Sequence, residues 1–109
     1  MKKLLWVMLS ALISFFMLLE IAQAGECIFL YSGYSGDDSY YDSSDVKYSG
    51  DIVSYVLYVG SCTSPKFTFT YEIDCAKRLM RKFEDGKYTD WVTFYPGSGA
   101  DIASKKLCR

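Results

Sequence analysis

Residues 67–75, Phe-Thr-Phe-Thr-Tyr-Glu-Ile-Asp-Cys, form the most regular pattern in the chain. Apolar residues occupy every second position from Phe67 to Cys75, and the positions between them are polar. Successive side chains of a β-strand point to opposite faces, so this alternation predicts a strand with one face in a core and the other in water. If the strand continues, Lys77 and Arg81 fall on the inner face, and a bulge, a bend or snorkelling side chains are expected near them.

Further strand and turn signals lie on both sides of this segment. A short apolar run at 27–31 and a run rich in β-branched and aromatic residues at 52–59 predict two more strands. Residues 84–87, Glu-Asp-Gly-Lys, carry the Asp-Gly signal of a hairpin turn. Residues 91–95 then predict the returning strand, which Pro96 ends because proline has no amide hydrogen to donate.

The last dozen residues predict a single short helix from Ser98 to Cys108. Ser98 resembles an N-cap, with Asp101 in the place of the usual glutamate, since its oxygen can accept an amide of the first turn and the carboxylate favours the positive helix end. Ala103 and Leu107 fall on one face of this helix. A helix of about ten residues is too short to be stable alone in water, so it needs the rest of the fold.

The start of the chain has the pattern of a secretory signal peptide. Residues 1–3, Met-Lys-Lys, are a basic start, residues 4–19 are almost all apolar, and residues 22–24, Ala-Gln-Ala, match the small-x-small cleavage pattern. A membrane anchor is the competing interpretation, but the 16 residues from 4 to 19 are fewer than the ~20 that span a hydrocarbon core. We therefore expect residues 1–24 to be removed, leaving 25–109 as one exported domain, periplasmic or extracellular, without a membrane span.

All four cysteines lie after the predicted cleavage site: Cys27, Cys62, Cys75 and Cys108. An even number of cysteines in a short exported chain indicates disulfides. Zinc is the alternative, but the chain has no Cys-x-x-Cys pair and no histidine. Of the three pairings open to four cysteines, we predict Cys75 with Cys108, because Cys75 lies on the inner face of a predicted strand and the short helix needs a covalent tie. Cys27 is then expected to pair with Cys62.

Charge is unevenly distributed along the chain. Residues 25–74 hold eight acids and two bases, whereas residues 75–109 hold eight bases and four acids. We expect these opposite charges to pair across the fold. Residues 25–109 hold twelve acids and ten bases, and this slightly acidic balance of −2 in an exported chain argues against a nucleic-acid partner.

The patterns that would indicate catalysis or metal binding are incomplete. Without histidine there is no Ser-His or Cys-His nucleophile pair. Ser44 and Lys47 have the Ser-x-x-Lys spacing of some acyl-enzyme hydrolases, but the Lys-Thr-Gly partner motif is missing. An acidic stretch lacks the ligand spacing and central glycine of a calcium loop: Asp37, Asp38, Asp42 and Asp45. We therefore predict no enzymatic activity, no metal and no cofactor.

Tyrosine is the residue type that favours a binding role. Five tyrosines stand among serine, glycine and aspartate in a segment predicted to be a loop, and they are the candidate partner-binding residues: Tyr31, Tyr34, Tyr40, Tyr41 and Tyr48. This composition is typical of protein-recognition loops, because tyrosine offers a large contact area and loses little rotamer entropy. The nearby aspartates favour a basic partner surface. In the alternative interpretation, the rings cover the sheet and fill the rim of a small core.

Five short motifs resemble, in this order, the surface-adhesin protein E family of exported bacterial domains: Tyr-Tyr-Asp at 40–42, Tyr-Glu-Ile-Asp-Cys at 71–75, Trp91, Pro-Gly-Ser at 96–98, and Cys108. The resemblance covers residues 25–109. It implies an α+β fold, a small antiparallel sheet with one C-terminal helix packed on a face and joined to it by a disulfide. The namesake of the family is a surface lipoprotein that binds host matrix and serum proteins such as vitronectin and laminin. This chain departs from it by lacking a lipid-attachment cysteine and by adding Cys27 and Cys62.

The sequence therefore predicts a secreted or periplasmic, non-enzymatic domain that binds a protein partner, a host matrix or cell-envelope protein, in an adhesin-like manner. The alternative is a structural or accessory domain of the cell envelope with no separable ligand. An exposed aromatic patch would favour the first function, and tyrosines folded into the core would favour the second.

Overall fold

The computed structural model describes residues 25–33 and 36–109, which form an α+β fold. The predicted signal peptide and Tyr34 lie outside the described residues. Within the described ranges, no helix is long and apolar enough to cross a membrane. The elements are β1 (Cys27–Ser32), β2 (Asp38–Asp42), β3 (Lys47–Ser49), β4 (Ile52–Val59), β5 (Phe67–Asp74), β6 (Leu79–Glu84), β7 (Lys87–Tyr88), β8 (Val92–Thr93) and α1 (Gly99–Leu107).

These strands form one antiparallel sheet. The order across it is β1-β2-β4-β5-β6-β7, while β3 pairs with the start of β4 and β8 pairs with the start of β6. The β4–β5 hairpin is central, and its pairing runs from Ile52 opposite Asp74 to Val59 opposite Phe67. The helix α1 packs on one side of this sheet, which we call the helix face, and the other side is the open face.

The core lies between α1 and the helix face. Val53 and Ile73 stand opposite each other on β4 and β5 and are 0 % exposed. Ala103 and Leu107 belong to the same buried cluster, which confirms the predicted inner face of the helix. The remaining buried members of the cluster are Leu30, Tyr41, Tyr55 and Leu57.

The predicted helix start is confirmed at Ser98, whose Oγ accepts the amide hydrogen of Asp101 at 3.3 Å. Asp101 is only 2 % exposed, and its carboxylate accepts the Gly97 amide at 2.8 Å and the Arg78 guanidinium at 2.9 Å. The Gly97 amide, followed by the nearby cations Arg78 and Lys105, holds the pKa of Asp101 below its usual value. This buried carboxylate joins the β5–β6 turn to the first turn of the helix.

Both predicted disulfides are confirmed. Cys75–Cys108 joins the end of β5 to the C-cap of α1, with Cα atoms 5.8 Å apart. Cys27–Cys62 joins the start of β1 to the β4–β5 loop, with Cα atoms 6.0 Å apart. Each bridge therefore ties an outer element to the central hairpin.

The segment predicted to be a loop from Tyr31 onward is largely a β-hairpin, so that prediction is wrong. β1 and β2 pair at five positions, and a 3-10 turn at Ser43–Asp45 follows. Ser39 and Tyr41 of β2 are buried, in alternation with more exposed neighbours, because they point to the helix face, opposite Val59 and Leu57 of β4. The serine and aspartate content of the segment conceals this alternation in the sequence.

The strand β5 ends at Asp74, and a tight turn takes the place of the bulge or bend expected beyond Cys75. The Asp74 carboxylate accepts two backbone amides of this turn, and Arg78 adopts a φ of 55°. β6 then returns beside β5, so Arg81 lies opposite Glu72 on the open face rather than on the inner face.

The β6–β7 hairpin confirms the turn predicted at 84–87. Glu84 pairs with Lys87, and the two residues between them, Asp85 and Gly86, have φ values of 51° and 81°. Both values match the left-handed conformation that an Asp-Gly hairpin turn requires. The returning strand predicted at 91–95 is shorter than expected, since β7 and β8 are two separate pieces that pair with opposite ends of β6.

Candidate functional site

Two of the predicted partner-binding tyrosines lie on the helix face and take part in the fold. Tyr41 is 6 % exposed, stands opposite Leu57, and belongs to the buried core. Tyr31 is half-buried beneath the start of the helix, where a Cβ added to Gly99 would lie 2.5 Å from its hydroxyl oxygen. Tyr41 is therefore not available to a partner, which corrects its assignment as a surface contact.

Of the other described members, Tyr40 lies on the open face, whereas Tyr48 lies on the helix face, opposite Val53 and beside the end of α1. The ring of Tyr40 packs edge-on against Phe29, with centroids 5.8 Å apart. Tyr48 donates its hydroxyl to the carbonyl oxygen of Leu107 at 2.6 Å, and the Arg109 guanidinium lies 3.8 Å from the centre of its ring. The described tyrosines of this set thus do not share one surface.

The aspartates that were expected to attract a basic partner are engaged within the fold. Asp37 pairs with Lys66 at 2.8 Å, Asp38 accepts the Ser32 hydroxyl at 2.9 Å, and Asp42 caps the 3-10 turn. Asp45 accepts the hydroxyl of Tyr58, and this hydrogen bond is the main reason that the pKa of Tyr58 rises to about 12. Among the described residues, no group of three or more His, Cys, Asp or Glu side chains is placed to hold a metal ion.

A line of rings on the helix face runs from the core to the solvent and is formed mainly by the alternating segment of β5. We call it the aromatic row: Tyr55, Tyr71, Phe69 and Phe67. Successive ring centroids are 5.7, 6.3 and 6.4 Å apart in that order. The row begins in the core and ends in solvent.

The outer end of the aromatic row is exposed because the helix is shorter than the strand beneath it. A helix of nine residues is about 13.5 Å long, and a strand of eight residues is about 27 Å long. Ile73, under the helix, is 0 % exposed, whereas Phe67, at the other end of β5, is 62 % exposed. The alternation in the sequence predicted Phe67 as a core residue, and that prediction is wrong because alternation does not report how far the covering helix reaches.

A cleft of about 320 Å³ lies at the inner end of the aromatic row, below the first turn of α1. We call it the tyrosine cleft, and its walls include Tyr31, Tyr55, Tyr71, Met80, Phe94 and Tyr95. Burial is the main reason that the pKa values of the Tyr31, Tyr55 and Tyr71 hydroxyls are raised above 10, so these groups stay protonated near neutral pH. No charged side chain lines the cleft in the described part of the chain. The cleft is therefore apolar, with hydroxyl groups as its main polar features.

The outer part of the aromatic row carries one balanced pair of charges. The Lys82 ammonium lies 4.7 Å from the centre of the Phe69 ring and 2.7 Å from a carboxylate oxygen of Glu84. The hydrogen bond to Glu84 is the main reason that the pKa of Lys82 is raised. The row and the cleft together thus present no net charge.

The open face also carries aromatic rings, but these rings pack against one another and against Arg81. The Arg81 guanidinium lies 4.4 Å from the ring centres of both Tyr88 and Trp91, and its Nε donates to Glu72 at 2.7 Å. Phe83 packs edge-on against Tyr88 and remains 43 % exposed. Phe83 is therefore a matched reference for Phe67, an exposed phenylalanine on the opposite face.

The candidate nucleophiles considered in the sequence are engaged within the fold. Every cysteine is in a disulfide, and Ser44 donates its hydroxyl to Asp42 at 2.7 Å. The described surface presents aromatic rings and hydroxyl groups for contact with another molecule.

Comparison with known proteins gives no match to a family model, to a curated protein or to a solved structure. The function is therefore inferred from the geometry of the described residues.

Proposed function

We propose that this protein is an exported, non-enzymatic domain that binds another protein through the aromatic row. The observation that carries the proposal is the exposure of Phe67, 62 %, at the end of a continuous line of rings. Aromatic side chains dominate binding energies at protein interfaces, and an exposed ring held at the end of such a line is suited to act as an anchor.

The rigidity of the aromatic row supports the same function. Three of its rings project from β5, which is held by β4 on one side and β6 on the other. The Cys27–Cys62 bridge anchors the loop that leads into Phe67. Little conformational entropy is then lost when a partner docks, which favours affinity.

An exported location and an adhesin-like role are part of the proposal. Two disulfides suit an oxidising compartment, the periplasm or the exterior. The resemblance to surface-adhesin protein E supports a host matrix or cell-envelope protein as the partner.

The test is binding of the oxidised protein to purified vitronectin and laminin by biolayer interferometry. We expect binding to at least one of them, and we expect Phe67→Ser to weaken it about tenfold because an aromatic anchor is lost. Phe83→Ser is the matched control and should change affinity by less than about twofold, since surface positions away from a contact have small effects. Equal losses in the two variants, with circular dichroism unchanged, would contradict the proposal.

A structural or accessory role in the cell envelope is the second candidate. The observation that favours it is the use of tyrosines in folding, with Tyr41 and Tyr55 in the core and Tyr48 bonded to the end of the helix. This role predicts that wild-type protein binds neither matrix protein and that Phe67→Ser has no effect on any interaction.

A further inference from the structure

We propose that the aromatic row and the tyrosine cleft bind a proline-rich segment of the partner in the polyproline II conformation. This inference rests on the proposed function and narrows the partner to a segment of defined chemistry.

Charge complementarity favours an uncharged segment. Among the described residues, no charged side chain lines the cleft, and Lys82 beside the row is paired with Glu84 at 2.7 Å. A phosphate-bearing, acidic or basic ligand would lose water at this surface without gaining an opposite charge. A run of prolines carries no charge and pays no such penalty.

Hydrogen-bonding capacity favours the same ligand. The half-buried tyrosines of the cleft wall, Tyr31 and Tyr71, carry protonated hydroxyls that can donate to a carbonyl oxygen. A proline-rich segment presents carbonyl acceptors and has no backbone N–H groups that need partners. Aromatic-lined grooves recognise such segments because their conformation is already formed before binding.

The dimensions of the row fit a short linear segment. The rings of Phe67, Phe69 and Tyr71 form a straight line because they occupy every second position of one strand, with successive centroids 6.4 and 6.3 Å apart. Phe67 to Tyr71 spans about 14 Å of strand, enough for about four or five residues of a polyproline II helix. A flat interface with a second copy needs about 800 Å² from each partner, far more than a row one ring wide.

An uncharged oligosaccharide also stacks on aromatic rings, but it needs planar side-chain groups, such as amides, carboxylates or guanidinium groups, that form hydrogen bonds with its hydroxyls. Residues 25–109 contain no asparagine or glutamine, and the cleft lining includes no carboxylate or guanidinium. The proline-rich segment is therefore the occupant that the site chemistry favours.

The test is isothermal titration calorimetry of the oxidised protein with a peptide of ten prolines. A Gly-Ser peptide of equal length is the peptide control, and a glucose hexasaccharide is the competing ligand. We expect binding of the proline peptide alone. Phe67→Ser should weaken it about tenfold through the lost ring, and Tyr71→Phe about fivefold through the lost hydroxyl donor. Phe83→Ser should leave it unchanged within about twofold.

The outcomes separate this inference from the proposed function. Binding of the hexasaccharide but not of the proline peptide, or equal losses in Phe67→Ser and Phe83→Ser, would overturn the inference. A second outcome is that the proline peptide does not bind, while vitronectin or laminin binds and Phe67→Ser weakens that binding. In that case the inference is wrong and the proposed function stands. Phe67→Tyr, which keeps the ring, should restore binding of the proline peptide, and circular dichroism should match that of the wild-type protein.

Discussion

Removal of the Cys75–Cys108 bridge by the double substitution Cys75→Ser and Cys108→Ser should destabilise the protein strongly and free its helix. The bridge closes a loop of 33 residues, which corresponds to about 3.7 kcal/mol in the chain-entropy model. That is a large share of the roughly 5–15 kcal/mol by which domains are stable. For a domain of this size, the melting temperature should fall by roughly 15–30 °C.

The Cys27–Cys62 bridge is a matched control, because it closes a loop of nearly equal length, 35 residues. Its removal should lower the melting temperature by a similar amount, yet only loss of Cys75–Cys108 detaches α1, which is too short to persist alone. Thermal unfolding followed by circular dichroism gives the stability of each variant. Hydrogen exchange of the amides from 102 to 107 reports the helix. Equal protection of these amides in both variants, or a melting temperature within a few degrees of wild type, would refute this reasoning.

Three other substitutions test particular contacts. Asp101→Asn should reduce the loss of stability that the protein undergoes at acid pH. The pKa of Asp101 is lower in the folded state, so its carboxylate stabilises the native protein above the unfolded pKa of about 3.9. This stabilisation is lost as pH falls through the folded pKa. Urea midpoints at pH 3 and pH 7 measure this, and an unchanged difference between them would count against it. Tyr41→Ala should lower the free energy of unfolding by about 3 kcal/mol, and Tyr40→Ala by under about 1 kcal/mol, because only the Tyr41 ring lies in the core. Urea unfolding measures both, and equal losses would contradict the different burial of these rings. Gly99→Ala should cost about 1 kcal/mol and shift the NMR signals of the Tyr31 ring, which its Cβ must displace; unchanged signals would contradict this.

Features set by local chemistry could be predicted from the sequence. The β4 and β5 strands, the Asp85-Gly86 turn and the Ser98 cap each depend on residues close together in the chain. The disulfide pairing followed from the inner position of Cys75 and from the need of a short helix for a tie.

Features set by distant contacts could not be predicted. Tyr41 is buried because β2 pairs with β4 and points this ring to the helix face, which the composition of the segment does not reveal. Arg78 adopts a positive φ without being glycine, in a turn held by Asp74 and by the ion pair of Arg78 with Asp101. The candidate site was missed for a similar reason: Phe67 is exposed because of the length of a helix that lies far along the chain.

The most direct test of the central claim, that the aromatic row is the binding surface, is the ratio of the dissociation constants of Phe67→Ser and Phe83→Ser. Both variants remove an exposed phenylalanine, but from opposite faces of the same sheet. Biolayer interferometry on vitronectin and laminin measures both constants. For whichever of the two proteins binds, the dissociation constant of Phe67→Ser should be about ten times that of Phe83→Ser, because the Phe67 ring is an anchor. A ratio near one, with both variants folded, would contradict the claim.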